Sequence, residues 1–264
     1  MSNLEHWESL AKQFGTQVFA TTKCKTIKQL EIYALSKHLK DGVSVLEVGA
    51  GNGLNIIALA QMFPGSQFVG MDFSKEMVRQ AYENAKGLSN VLFVVGDVTS
   101  LNYVDEYFDI VISDRCIINV QNKEQQKVAI SECWRVLKHG GQFLLLENSK
   151  QAKSLQNDLR ESFGLTRRPD AEYNLFLDED WLIPFLKAMF DIEAIDNFGG
   201  LHDLTLYCLA IIATAQEPCY DCELVQKSTL ATMKYHEKFG CYPKIPYGQN
   251  KLWVLKKHDG LLVT

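Results

Sequence analysis

The sequence predicts an α/β protein, a mostly parallel sheet with helices on both faces, and three observations carry that expectation. Val45-Leu46-Glu47-Val48-Gly49-Ala50-Gly51-Asn52-Gly53 is an apolar run that enters a glycine-rich turn and then a helical stretch, Leu54 to Met62. Apolar strands alternate with helical stretches from Val43 to Leu146, the rhythm of successive βαβ units. The strands also read as continuous apolar runs rather than alternating ones, as expected where both faces of a sheet are covered.

In chain order, Trp7, Leu10, Ala11 and Phe14 fall at helical spacing, and a second helix is expected from Thr26 to about Leu39. After the first strand and its glycine turn, Gln67-Phe68-Val69-Gly70-Met71-Asp72 is a second strand that ends in an acid. Val91 to Val95 is the third, followed by Gly96-Asp97-Val98, and Phe108 to Ser113 is the fourth. Lys123 to Leu137 presents Ala129, Ile130, Cys133, Trp134 and Leu137 on one face, with Asn122 as N-cap. Arg135 to Gly141 reads as a helix end and glycine turn before a fifth strand, Gln142 to Leu146. The polar stretch Asn148 to Asp178, broken by Gly164 and Pro169, is expected to wander over the sheet's carboxyl edge. A helix over Asp180 to Met189 leads to a sixth strand, Phe190 to Ile195, and Lys251 to Leu255 is the seventh. About fifty residues separate these last two, enough for helices at Leu204–Thr214 and Glu223–Phe239.

The glycine turn points to a nucleotide-type ligand. Glycines allow a sharp turn and close backbone approach, and the amides that open the next helix face the ligand. The dinucleotide fingerprint G-x-G-x-x-G fails here, because Leu54 stands where its third glycine belongs. Glu47 would repel a pyrophosphate but attract an ammonium group. An acid two residues before G-x-G-x-G resembles the first motif of the class I S-adenosylmethionine-dependent methyltransferases, and the series of strand-end motifs from Val43 to about Phe198 is similar to theirs in order. The resemblance implies a Rossmann-like seven-stranded sheet with strand 7 antiparallel, a helical lid over residues 1–42 in which Phe14 to Thr22 could reach the ligand, a core over 43–148, and a remainder over 149–264 that carries a helical substrate cap. It implies S-adenosyl-L-methionine as cofactor, leaving as S-adenosyl-L-homocysteine.

The same resemblance assigns residues. Glu47, Gly49, Ala50, Gly51, Asn52 and Gly53 would form the cofactor loop. Asp72 would accept from both ribose hydroxyls, with Met71 and Phe73 beside the adenine. Asp97 and Val98 would read the adenine edge, although Asp97 also reads as a strand-end cap. Ser113, at the end of the fourth strand, would lie under the methionine part. On the acceptor side, Arg115 and Asn119 lie in a stretch similar to Arg-x-Leu-Ile-Asn of a group of small-molecule methyltransferases, and Tyr173 and Asn174 in a segment similar to one of the same group. Arg115 either binds a phosphate or carboxylate or shapes its loop through a salt bridge; Tyr173 and Asn174 either line the pocket or dock the lid. His202, after the turn Gly199-Gly200, is the first candidate for general base and Glu147 the second.

A net charge of −5 argues against a nucleic-acid partner. No apolar run is long enough to span a bilayer, and residues 1–10 do not form a secretory signal, so a cytoplasmic protein without stable membrane association is expected. Seven scattered cysteines suit a reducing compartment. Cys219, Cys222, His236 and Cys241 stand in finger-like order, but the spacing is loose and no metal is expected. The leading expectation is methylation of an oxygen or nitrogen of a small polar metabolite, phosphorylated or sugar-derived. Methylation of a lipophilic quinone or lipid precursor, and a non-catalytic cofactor-binding partner protein, are the alternatives.

Overall fold

Strand β1 (Ser44–Val48) lies inside a seven-stranded sheet of order β3-β2-β1-β4-β5-β7-β6 in the computed structural model, which describes residues 2–214 and 218–258. The other strands are β2 (Gln67–Asp72), β3 (Val91–Val95), β4 (Phe108–Asp114), β5 (Leu137–Asn148), β6 (Phe190–Asp196) and β7 (Asn250–Lys257). β1 to β5 pair in parallel, and β7 runs antiparallel between β5 and β6. The strand order reverses at β1, between β2 and β4, so the crevice beyond its carboxyl end is where ligands bind in open sheets of this kind.

Alternation along the strands divides the core into two layers. Val45, Ile110, Ile112, Leu144 and Leu146 pack on one face against α2 (Lys25–Ser36) and α3 (Leu54–Met62). Leu46, Val111, Phe143 and Leu145 pack on the other against α5 (Lys123–Val136) and α7 (Glu179–Lys187). Two further helices flank the amino-terminal half, α1 (Asn3–Phe14) and α4 (Lys75–Asn84), and a 3₁₀ turn at Val18–Ala20 joins α1 to α2.

Four elements depart from expectation. Residues Lys150–Ser162 form a helix, α6, where an irregular excursion was expected. Its buried face carries Lys153, Gln156, Asn157 and Arg160 beside Ala152, so no apolar stripe marks it. β5 starts at Leu137, not Gln142, because a bulge between Phe108 and Ile110 lets Leu137 pair ahead of the glycines. The segment expected to turn flexibly at Gly199-Gly200 is helical, α8 (Gly200–Leu204), and a π turn over Thr205–Leu209 joins it to α9 (Ala210–Thr214). A Cβ on Gly200 would lie 2.0 Å from the Ile245 carbonyl oxygen, so this glycine serves close packing rather than flexibility. Finally, α2 ends at Ser36 rather than near Leu39. α10 (Glu223–Phe239) matches expectation to the residue.

Candidate active site at the carboxyl edge of the sheet

The loop after β1 places Gly49, Gly51 and Gly53 at positive φ. At Gly49 an added Cβ would come within 2.5 Å of the Cys116 side chain, and at Gly51 within 2.7 Å of the Thr21 methyl. Both require glycine twice over, for conformation and for space. Asn52 faces away from the loop: its amide donates to the carbonyls of Gly15 at 3.0 Å and Gln17 at 2.8 Å. It thus latches the segment after α1 onto the glycine turn. Ala50 donates its backbone N–H to the Met71 carbonyl, which fixes the loop to the end of β2.

Asp72 lies beneath this loop. One carboxylate oxygen accepts from the Gly51 N–H at 2.8 Å and the other from the Ser74 N–H at 2.9 Å. Burial raises its pKa to about 6 against the pull of those amides. Each oxygen keeps a second lone pair for a ligand. Phe73 is exposed, whereas Met71 is buried in the sheet core. Asp97 accepts from both the N–H and O–H of Thr99, so it caps its own strand end, and Val98 is buried.

Glu47 is buried, with Oε1 accepting from Asn55 at 2.9 Å. Burial raises its pKa to about 8, with the Asn55 hydrogen bond opposing and Asp114 adding to the rise. Among the described residues, Glu47 Oε2 and Asn55 Oδ1 find no donor although both are buried. Two orphaned acceptors beside the glycine turn suit a cationic donor such as an α-ammonium group.

Next to them lies a charge cluster of which sequence reasoning singled out only Arg115. Lys28 sits 2.8 Å from Asp114 and 2.7 Å from Glu31, and Asn55 also donates to Asp114. Arg115, at φ +54, holds Glu31 at 3.1 Å and Asp114 at 3.3 Å. Burial alone would raise Asp114, but Lys28 and Arg115 outweigh it and hold its pKa at about 2. Glu31 moves up, because burial outweighs Arg115. Asn250 donates to Glu31 and accepts from Asn148, carrying the cluster to β7. Arg115 is therefore tied in salt bridges between α2 and β4. Lys28 and Glu31 lie one turn apart on a helix whose apolar face dominates the pattern, and only the fold brings them to Asp114.

The candidate bases have contrasting settings. Glu147 is fully buried and accepts from Ser113 Oγ at 2.5 Å and from the backbone N–H groups of Cys116, Ile117 and Ile118. Burial raises its pKa to about 7. With four donors on it, Glu147 shapes the Arg115–Asn119 segment, and Ser113 serves the same carboxylate. His202 is also buried, with Nδ1 2.9 Å from Asp203 Oδ1 and Nε2 3.5 Å from Cys24 Sγ. Asp203 is held by the Gln249 N–H at 2.9 Å. Burial pulls the His202 pKa down, but Asp203 and Cys24 more than reverse this and raise it to about 9. Cys24 caps α2 one turn before Lys28, about 6 Å along the axis. The Cys116 thiol is pushed well up by burial and by Glu147, which removes it as a nucleophile.

Asn119 donates to the Arg115 carbonyl at 2.6 Å, and its own carbonyl accepts from Asn3. Tyr173 stacks on His6 with ring centroids 4.2 Å apart and meets Trp7 edge-on. These two residues dock α1, while Asn174 faces a separate cavity on the α6 side. His236 pairs with Tyr33 at 3.2 Å, and among the described residues no group of three or more His, Cys, Asp or Glu could hold a metal ion. Also among the described residues, no helix is long and apolar enough to cross a membrane.

A strand-turn-helix with orphaned acceptors at the switch point of a 3-2-1-4-5-7-6 sheet defines an α/β protein with a ligand crevice at its carboxyl edge. Residues 45–141 match the family described as a methyltransferase domain, and the chain carries a class I S-adenosylmethionine-dependent methyltransferase domain. Its cofactor is accordingly S-adenosyl-L-methionine. The chain is similar to phosphoethanolamine N-methyltransferase 1 of Arabidopsis thaliana, 32% identical over 149 residues, 56% of this chain and 29% of that one. It is also similar to demethylmenaquinone methyltransferase of Staphylococcus carnosus, 34% identical over 116 residues, 44% of this chain and 47% of that one. The chain thus spans less than half the length of either relative. Among solved structures, the complex between the Haloferax volcanii Trm112 methyltransferase activator and a methyltransferase matches with a TM-score of 0.59 and 17% identity, over 96% of this chain and 94% of that one. At that identity the likeness concerns the fold.

Proposed function

We propose that this protein methylates an oxygen or nitrogen of a small polar metabolite, phosphorylated or sugar-derived, using S-adenosyl-L-methionine. The observation that carries the reading is the buried polar wall at the carboxyl edge, where Lys28, Glu31, Asp114 and Arg115 stand beside the orphaned acceptors of Glu47 and Asn55. A wall of buried charge favours a polar acceptor over a lipophilic quinone, because an apolar ligand would strip water from those groups without replacing its hydrogen bonds. The demethylmenaquinone relative supports the quinone reading, but it matches over less than half of either chain, and a shared fold does not fix the acceptor.

When bound, the cofactor supplies a methyl group on a cationic sulfur that leaves as a neutral thioether. The chain's task is then to orient and to exclude water. Glu47 and Asn55 receive the ammonium end, and Asp72 holds the ribose. Thr21 and the Asn52 latch close the loop from the lid side. Glu147 acts at one remove, fixing the Arg115–Asn119 segment through three backbone amides. His202, oriented by Asp203, is the candidate general base; its Nε2 would have to leave Cys24, and the ring, with its pKa near 9, would have to lose its own proton before taking the acceptor's. The test is a screen of phosphorylated, sugar-linked, amine and quinone acceptors for release of S-adenosyl-L-homocysteine. Turnover with polar acceptors is expected, and turnover with quinones alone would replace this reading.

A further inference from the structure

Outside the cofactor crevice, a cavity of about 590 Å³ opens between α6, the start of α5 and the segment 167–178. Five cations line it: Lys123, Lys150, Lys153, Arg167 and Arg168. The lining acids are Asp170 and Asp178, in a chain whose net charge is −5. Such a concentration of one sign in a concave site raises the local potential well above that of the surrounding surface.

The placement of the lysines strengthens the case. Lys123 and Lys150 are the first residues of α5 and α6, where the positive end of the helix dipole disfavours a cation and favours an anion. Lys150 is offset by Asp178 at 2.7 Å, Lys153 by Asp170, and Arg167 by Asp158 and Glu161. Lys123 and Arg168 have no carboxylate partner among the described residues. Lys123 lies 5.8 Å from the Trp181 ring centroid. Arg168 packs over Tyr207, its guanidinium carbon 3.3 Å from the ring centroid, and donates to Gln156 at 2.7 Å and Gln249 at 3.2 Å. A guanidinium clamped this way is pre-organised for a bidentate anion. Phe176 and Trp181, which also line the cavity, offer apolar surface for an organic body beside the charged group.

We propose that this cavity binds the phosphate of a small phosphorylated molecule. The inference goes beyond the methyl-transfer reading and stands on charge and shape alone. It also moves phosphate recognition away from Arg115, whose guanidinium is already engaged by Glu31 and Asp114. The cavity is one wall from the reaction edge, since Leu175 donates its N–H to the Ile118 carbonyl and Gln126 bridges the Ile117 and Leu175 carbonyls. The phosphate therefore belongs either to the methyl acceptor or to a separate effector.

The experiment is calorimetric titration of inorganic pyrophosphate into the full chain at low salt. Wild type is expected to bind. The double variant Lys123→Gln/Arg168→Gln should lose affinity at least about tenfold, the scale of lost charge-assisted hydrogen bonds. The charge-keeping Lys123→Arg should stay close to wild type, whereas Arg168→Lys should lose part of the affinity, because an ammonium cannot reproduce the clamped guanidinium fork. Melting temperatures measured alongside show that each variant is folded. No heat from pyrophosphate with wild type at millimolar concentration would overturn the proposal, as would equal affinity in wild type and the double glutamine variant. With an acceptor in hand, competitive inhibition by pyrophosphate assigns the site to the acceptor's phosphate, and non-competitive inhibition assigns it to an effector; both outcomes uphold the site. Pyrophosphate binding without any methyl transfer would sink the enzymatic reading and leave this one standing.

Discussion

Glu47 should make cofactor binding a proton-releasing event. Burial lifts its pKa to about 8, so at pH 7 it is about 0.9 protonated. A bound ammonium group beside Oε2 favours the ionised form and expels that proton. About 0.9 of a proton should therefore leave per site at pH 7, falling to about 0.1 at pH 9, while Asp72 near pKa 6 adds only about 0.1 at pH 7. Affinity should rise with pH by up to about tenfold per unit below pH 8 and level off above it. The assay is titration calorimetry in buffers of different ionisation enthalpy, where the slope of observed enthalpy reads the protons released. S-adenosyl-L-homocysteine, which keeps the ammonium but lacks the sulfonium, should release the same number. In Glu47→Gln the release should fall nearly to zero. A slope near zero in wild type, or an unchanged slope in the variant, would refute the placement of the ammonium at Glu47. The free protein carries the complementary signature: a carboxyl raised in the folded state lends stability that is full below its usual pKa of 4.5 and is lost as pH climbs through about 8.

Four other expectations can be checked. Asp72→Ala should weaken S-adenosyl-L-homocysteine binding by roughly 1–3 kcal/mol, since it removes acceptors for the ribose and the anchor of the glycine loop; an unchanged Kd would show that Asp72 does neither. If His202 takes the proton, the turnover rate should climb about tenfold per pH unit from 7 towards 9, and a rate flat across that range in wild type would rule it out. The stability that the His202–Asp203 pair contributes is full below the usual histidine pKa of 6.5 and is lost as pH rises through about 9, so His202→Gln should flatten that part of the melting curve's pH dependence. Lys28→Met leaves Glu31 and Asp114 short of a buried cation and should destabilise the fold by about 3–5 kcal/mol, read from denaturant unfolding; a change under about 1 kcal/mol would mean that water already screens the cluster.

The sheet was legible because burial on both faces writes each parallel strand as an apolar run and each strand end as a glycine or acid. α1, α2 and α5 followed from their apolar faces, and α3 from the glycine turn before it. α6 was not legible, since the face it buries is built from Lys153, Gln156, Asn157 and Arg160, whose stems and hydrogen bonds do the packing. The polar constellation was read only in part. Glu47 and Asp72 announce themselves as strand-end acids, but the partnership of Lys28 and Glu31 with Asp114 spans more than eighty residues of chain for Lys28. His202 followed two glycines and so read as a flexible-turn residue; Gly200 instead packs against Ile245 and begins a buried helix that Gly199 precedes.

The most direct measurement is a crystal structure with S-adenosyl-L-homocysteine. The account expects its ammonium within hydrogen-bonding distance of Glu47, its ribose hydroxyls on Asp72, and its sulfur facing the wall formed by Asp114 and Lys28. A ligand bound elsewhere, or bound there with Glu47 still paired only to Asn55, would contradict it.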